Sequence, residues 1–143
     1  MIDKELVIRK INLIQEDLEQ LQKYKRTARE DIEKDIALEA AIERYLERMI
    51  TRAIELNQHL IAESEMRDIK IPKDYKGTFM ALGDLKICPK EFARSISDSA
   101  GFRNILVHEY DDLDKEKFYL SLQAALEQYP EYCKYIIEHI GKI

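Results

Sequence analysis

Between residues 3 and 25 the apolar positions Val7, Ile11, Ile14, Leu18 and Leu21 step by 4, 3, 4 and 3. That rhythm places them on one stripe of an α-helix. Asp3 stands where an N-cap is expected. Residues 24–27 read as a turn, with Thr27 as the next N-cap and Glu30 three positions on, a capping-box pattern. A long helix is then expected over 28–63. Its seam is Leu38, Ile42, Tyr45, Met49, Ala53, Leu56 and Leu60, widened by Leu46, Ile50, Ile54 and Ile61, and it holds neither Gly nor Pro. Two long helices joined by a short turn pack antiparallel.

Residues 65–89 break the rhythm. Ile71-Pro72 and Cys88-Pro89 stop helices, Gly77 and Gly83 read as flexible points, and a short helix fits over 75–82. Pro89 suits the first position of a further helix. Its seam, Phe92, Ile96 and Ser99, continues at the same spacing into Arg103, Leu106 and Tyr110. A cation on an apolar seam is costly unless it is paired or sits at an interface. Asp111-Asp112-Leu113-Asp114 reads as a turn with Asp114 as N-cap. A helix over 115–128 follows, with Phe118, Leu122 and Ala125 inward, and Pro130 reads as the start of a last short helix ending near 140. The expected fold is all-α: one domain over 1–143, an up-and-down helical bundle with additional short helices.

Composition supports this reading. The chain has 143 residues, 45% hydrophobic and 36% charged, with four Gly, three Pro and no Trp. That is enough chain for a core, and the profile disfavours disorder or a β-sandwich. The net charge of −5 gives no overall field for coating nucleic acid. RNA contact would need a local basic patch, a partner or a two-chain site. Cys88 and Cys133 lie far apart and read as reduced thiols of a cytoplasmic protein rather than a disulfide. The charged residues at 3–5 do not fit a signal peptide. No stretch approaches the roughly 18 uninterrupted apolar residues of a membrane span.

Candidate chemistry gathers in Gly101-Phe102-Arg103-Asn104-Ile105-Leu106-Val107-His108-Glu109-Tyr110. Arg103 can hold a phosphate with two parallel hydrogen bonds. His108 can move a proton near neutral pH. Asn104 can orient either, and Tyr110 offers an aromatic face with a hydroxyl. Such a set can handle a phosphodiester without a metal. Asn104 and His108, four apart, share a helical face, whereas Arg103 and His108, five apart, diverge by about 140°. Either the helix ends between them, or a second copy completes the site across a two-fold axis. The seam position of Arg103 favours a homodimer with the two motifs facing each other.

An isolated R-x4-H is a weak signal. On the bland reading Arg103 pairs with Asp98 or Glu109 and His108 caps a helix end. Glu55, His59 and Glu63, at four-residue spacing, invite a metal. They lack the Glu-x-x-His spacing of di-metal bundles, and a solvated face is the better account. His139 is expected at the surface. Tyr119, Tyr129, Tyr132 and Tyr135 are expected to pack rather than to stack bases.

The ten-residue motif resembles the R-x4-H-x-Y signature of HepT-like proteins in the HEPN superfamily. The resemblance extends back through Ile71-Pro72, 79–82 and 45–60, and forward from Asp114 to the C-terminal helix. It implies a homodimeric all-α bundle acting as a metal-independent ribonuclease toxin, with no cofactor and with RNA as substrate. The implied partner is a small nucleotidyltransferase antitoxin that adds AMP to the motif tyrosine. On this chain Arg103 and His108 would be catalytic, Asn104 supporting and Tyr110 the modified residue. The alternatives are a non-catalytic helical module that partners such a transferase, and a structural helical dimer with a fortuitous motif.

Overall fold

The computed structural model describes residues 2–65, 71–108 and 114–143. Six helices account for most of them: α1 (Lys4–Gln22), α2 (Arg29–Lys34), α3 (Ile36–Ala62), α4 (Tyr75–Asp84), α5 (Lys90–His108) and α6 (Lys115–Gly141). No strand occurs among the described residues, so the expected all-α class holds.

The side-chain contacts fix the topology. Along α1, Asp3, Lys10 and Asp17 meet His59, Glu55 and Arg52 in turn, so α1 and α3 are antiparallel. Lys4 reaches the Ile143 carbonyl and Gln22 the Leu126 carbonyl, so α1 and α6 are antiparallel too. Ser95 bonds Gln128 while Phe102 meets Phe118, which runs α5 against α6. The result is an up-and-down arrangement of α1, α3, α5 and α6, with α4 folded against α5 and α3. One core joins the buried faces of all six helices.

The α1 seam is buried throughout, and Asp3 caps the helix by accepting from the Leu6 amide. The expected helix over 28–63 is two helices. The backbone breaks at Asp35, whose Oδ1 accepts from the Leu38 amide at 3.0 Å and caps α3. The preceding α2 starts after Ala28 with no side-chain cap, so Thr27 is not the N-cap.

Gly77 and Gly83 both lie inside α4 rather than in flexible links. A Cβ on Gly83 would stand 3.1 Å from Lys90 Cα and 3.2 Å from Ala93 Cβ. Its missing side chain is what lets α5 pack so closely. Pro130 does not begin a new helix but sits within continuous α6. Proline at 130 removes the amide that would bond the Leu126 carbonyl. The Gln22 side-chain amide donates to that carbonyl at 3.4 Å instead.

The core carries one fully satisfied polar cluster. Asn57 Nδ2 donates to Thr78 Oγ1 at 3.3 Å, and the Tyr132 hydroxyl lies 2.6 Å from Asn57 Oδ1 and 3.1 Å from the Ala53 carbonyl. Tyr129 and Tyr132 are buried, and Tyr119 and Tyr135 pack against the core, so the tyrosines are packing residues. Cys88 and Cys133 are buried free thiols. His139 is half-buried rather than a surface residue, and desolvation followed by Lys142 lowers its pKa. No helix among the described residues is long and apolar enough to cross a membrane.

Candidate functional site

Helix α5 brings the motif to one end of the bundle. Ala93, Ile96, Ser97, Ala100, Phe102 and Leu106 are its buried face. Ser99, on the expected seam, bonds the Tyr129 hydroxyl at 2.8 Å and ties α5 to α6. The helix continues through Gly101, where an added Cβ would meet nothing within 4 Å. It contains both Arg103 and His108. A helix end between those two residues is therefore ruled out, and the divergence of about 140° expected from five-residue spacing persists.

Arg103 lies at the edge of the buried face, half-buried. Its Nε–H donates to Thr51 Oγ1 on α3 at 3.0 Å. Its guanidinium carbon sits 5.4 Å from the centroid of the Tyr75 ring at the start of α4, within range of a cation–π interaction. Asp98, one candidate partner, instead faces Lys76 at 3.5 Å. Arg103 has no carboxylate partner among the described residues. The cost of a cation at the seam is thus offset by a hydroxyl and an aromatic face, and no carboxylate among the described residues neutralises its charge.

Asn104 and His108 are both exposed, as their shared face requires. His108 is in the last turn of α5, where a cationic imidazole interacts favourably with the helix dipole. Tyr110 and Glu109, like the expected turn at 111–113, lie outside the described residues. Asp114 caps α6 through the Glu116 and Lys117 amides, as expected.

Two cavities among the described residues lie away from the motif. A groove of about 440 Å³ opens beside Tyr75, between the end of α3 and the segment Ile71–Tyr75. Another, of about 400 Å³, lies among Leu60, Leu85, Ile87 and His139. Neither is lined by Arg103 or His108. Of the metal triplet, Glu55 pairs with Lys10 and His59 accepts from the Asp3 amide. No group of His, Cys, Asp and Glu suited to a metal occurs among the described residues.

Sequence reasoning missed Thr51, Tyr75 and Asp17. The last is a buried carboxylate on α1 held by Arg48 at 3.1 Å and Arg52 at 2.8 Å. Burial raises the pKa of Asp17 even so, with the two guanidinium groups opposing. Nothing in linear spacing links Thr51 or Tyr75 to Arg103. A signal for Asp17 was present: residue 17 falls beside Leu18 on the α1 seam, opposite arginines at four-residue spacing.

The Ribonuclease HepT-like family model matches residues 14–136. The chain is 30% identical to the tRNA nuclease HepT of Aphanizomenon flos-aquae (strain 2012/KM1/D3) over 141 residues, covering 97% of this chain and 92% of that protein. Among solved structures, Bacillus subtilis YutE, a cytosolic protein of unknown function, superposes with a TM-score of 0.83 at 18% identity, covering 99% of this chain and 92% of that one. A tri-AMPylated Shewanella oneidensis HEPN toxin in complex with its MNT antitoxin gives a TM-score of 0.79 at 20% identity, covering 93% and 97%. At such identities the structural likenesses establish the fold. The family model and the cyanobacterial relative, each spanning most of the sequence, establish more: the chain belongs to the HepT-like ribonuclease family.

Proposed function

We propose that this chain is the toxin of a toxin–antitoxin pair: a metal-independent endoribonuclease that works as a homodimer in the cytoplasm. The observation that carries the reading is the state of Arg103. It is anchored to α3 and α4, lacks a carboxylate partner among the described residues, and lies five positions from an exposed histidine on the same helix. A guanidinium so placed is suited to an external phosphate. Because Arg103 and His108 diverge within one copy, two copies with facing motifs supply the convergent set. Such pairing also gathers cations locally, which answers the acidic net charge.

The chemistry follows from the groups. The RNA 2′-hydroxyl attacks the adjacent phosphorus, and the 5′-oxygen leaves. The products are a 2′,3′-cyclic phosphate and a 5′-hydroxyl end. His108 transfers a proton, and Arg103 stabilises charge developing on the non-bridging oxygens. Asn104, on the His108 face, orients the imidazole or the substrate. DNA lacks the attacking hydroxyl and is spared. The sequence requires neither metal nor cofactor.

The solved Shewanella relative is a tri-AMPylated toxin bound to its antitoxin. By the same logic, a nucleotidyltransferase antitoxin transfers AMP to Tyr110 here. The added bulk and negative charge, seven residues from Arg103 in sequence, occupy or repel the phosphate site.

The test is expression of the wild type and His108→Ala in a bacterial host, with growth followed and RNA examined for new cyclic-phosphate ends. The wild type should arrest growth and generate such ends, and His108→Ala should do neither. If both are harmless and the purified wild type leaves RNA intact without added metal, the chain is instead a non-catalytic module that partners the transferase. Tyr110→Phe should be toxic but no longer silenced by the antitoxin. Continued silencing would refute inhibition by AMP transfer.

A further inference from the structure

Arg103 differs from a free surface arginine in having its side chain fixed at two points by residues outside the motif. Thr51 Oγ1 accepts the Nε–H at 3.0 Å. The Tyr75 ring lies beneath the guanidinium, 5.4 Å from centroid to central carbon. These contacts come from two different helices, α3 and α4. A guanidinium can meet a phosphate along either of two edges, the Nε–Nη edge or the Nη1–Nη2 end. With Nε–H committed to Thr51, only the end-on pair keeps both donors available. The ring face below restricts rotation of the guanidinium plane and favours the cationic group without neutralising it.

We infer that Thr51 and Tyr75 are positioning residues for Arg103, which fix its guanidinium so that the Nη1–Nη2 end receives the scissile phosphate. The inference rests on the ribonuclease reading for its substrate, but its structural part can be tested without RNA. Lysine at 103 has no Nε–H edge, cannot be held by Thr51 while gripping two oxygens, and does not substitute. Neither positioning residue touches substrate. Their effect is on the rate of the chemical step, because a displaced donor weakens stabilisation at the transition state more than it weakens binding.

The experiment compares Thr51→Val, Thr51→Ser, Tyr75→Leu and Tyr75→Phe with the wild type. Two readouts are used: single-turnover cleavage of RNA, and the Arg103 Nε–H resonance in a ¹⁵N–¹H spectrum at low temperature. Thr51→Val keeps the side-chain shape and removes the acceptor. It should cut roughly ten- to a hundredfold more slowly, the range expected when a catalytic group is misplaced by about an ångström. KM should be little changed, the melting temperature close to wild type, and the Nε–H signal lost to exchange. Thr51→Ser should restore the signal and most of the rate. Tyr75→Phe keeps the ring face and should resemble the wild type, whereas Tyr75→Leu should slow cleavage. In an Arg103→Ala background Thr51→Val should cost nothing more.

Wild-type cleavage and an undisturbed Nε–H signal in Thr51→Val would overturn the inference. So would an equal loss in Thr51→Ser, or a further loss in the Arg103→Ala background. If the wild type itself cleaves no RNA, the ribonuclease reading fails, and the Nε–H signal alone decides whether Thr51 holds Arg103.

Discussion

At the scale of single residues, the buried polar groups carry the sharpest expectations. Asn57, Thr78 and Tyr132 satisfy one another where α3, α4 and α6 meet. Tyr132→Phe removes the hydroxyl that Asn57 Oδ1 faces and leaves a buried acceptor unpaired. A loss of about 1–3 kcal/mol is expected in urea unfolding. Asn57→Leu in the Tyr132→Phe background removes the stranded group and should recover part of that loss. A simple sum of the two penalties would show that the groups do not act together. The sequence identifies Arg103, Asn104 and His108 as chemistry-bearing, because their types and spacing are local facts. It does not reveal what holds Arg103. Thr51 is 52 positions away, and its hydroxyl resembles that of any other helical threonine until α3 and α5 are packed together. Asp17 shows the converse. Its carboxylate falls beside Leu18 on the flank of the apolar seam, and a charge there calls for a buried partner.

At the scale of elements, hydrophobic period located the long helices α1, α3, α5 and α6 but not α2 or every end. The break at Asp35 went unseen because residues 28–38 contain neither Gly nor Pro, and a charged stretch carries no period to interrupt. The capping aspartate was the only local sign. Pro130 misled in the opposite direction. Proline disfavours a helix interior through its missing amide and its clash with the carbonyl four residues back, yet α6 passes through it. The Gln22 amide on α1 satisfies the stranded Leu126 carbonyl, so a tertiary contact overrides the local rule. Pro130→Ala restores the helical bond and should stabilise the protein. The interior penalty of about 3 kcal/mol is reduced here by that substitute bond and by the lower unfolded-state entropy of proline, so a gain of about 1–2 kcal/mol is expected. Gln22→Ala should cost about 1 kcal/mol in the wild type and measurably less beside Pro130→Ala. Equal costs in both backgrounds would mean that Gln22 does not serve the Leu126 carbonyl.

At the scale of the whole molecule, function and stability occupy different parts of the bundle. Arg103, Asn104 and His108 stand near the end of α5, exposed or at the core's edge. Several titratable groups of the interior lie elsewhere, on α6 and at the α4–α5 turn. Burial pushes the Cys88 thiol up to about 11 and the Cys133 thiol up to about 12. It also raises the Tyr129 and Tyr132 phenols. Each of these groups is neutral in the folded protein and ionises more readily in the unfolded chain, where a thiol titrates near 8.5. Between about pH 8.5 and the folded values, the unfolded chain therefore binds fewer protons than the native one. Stability falls as pH rises, by up to about 1.4 kcal/mol per pH unit for each thiol. It is fully present below about pH 8. Urea unfolding between pH 8 and 10 should show this decline, and Cys133→Ala should flatten the slope even though it removes some packing. At pH 8 native thiols should react slowly with iodoacetamide and unfolded ones fast. A slope unaffected by Cys133→Ala would assign the alkaline loss to Cys88 and the tyrosines.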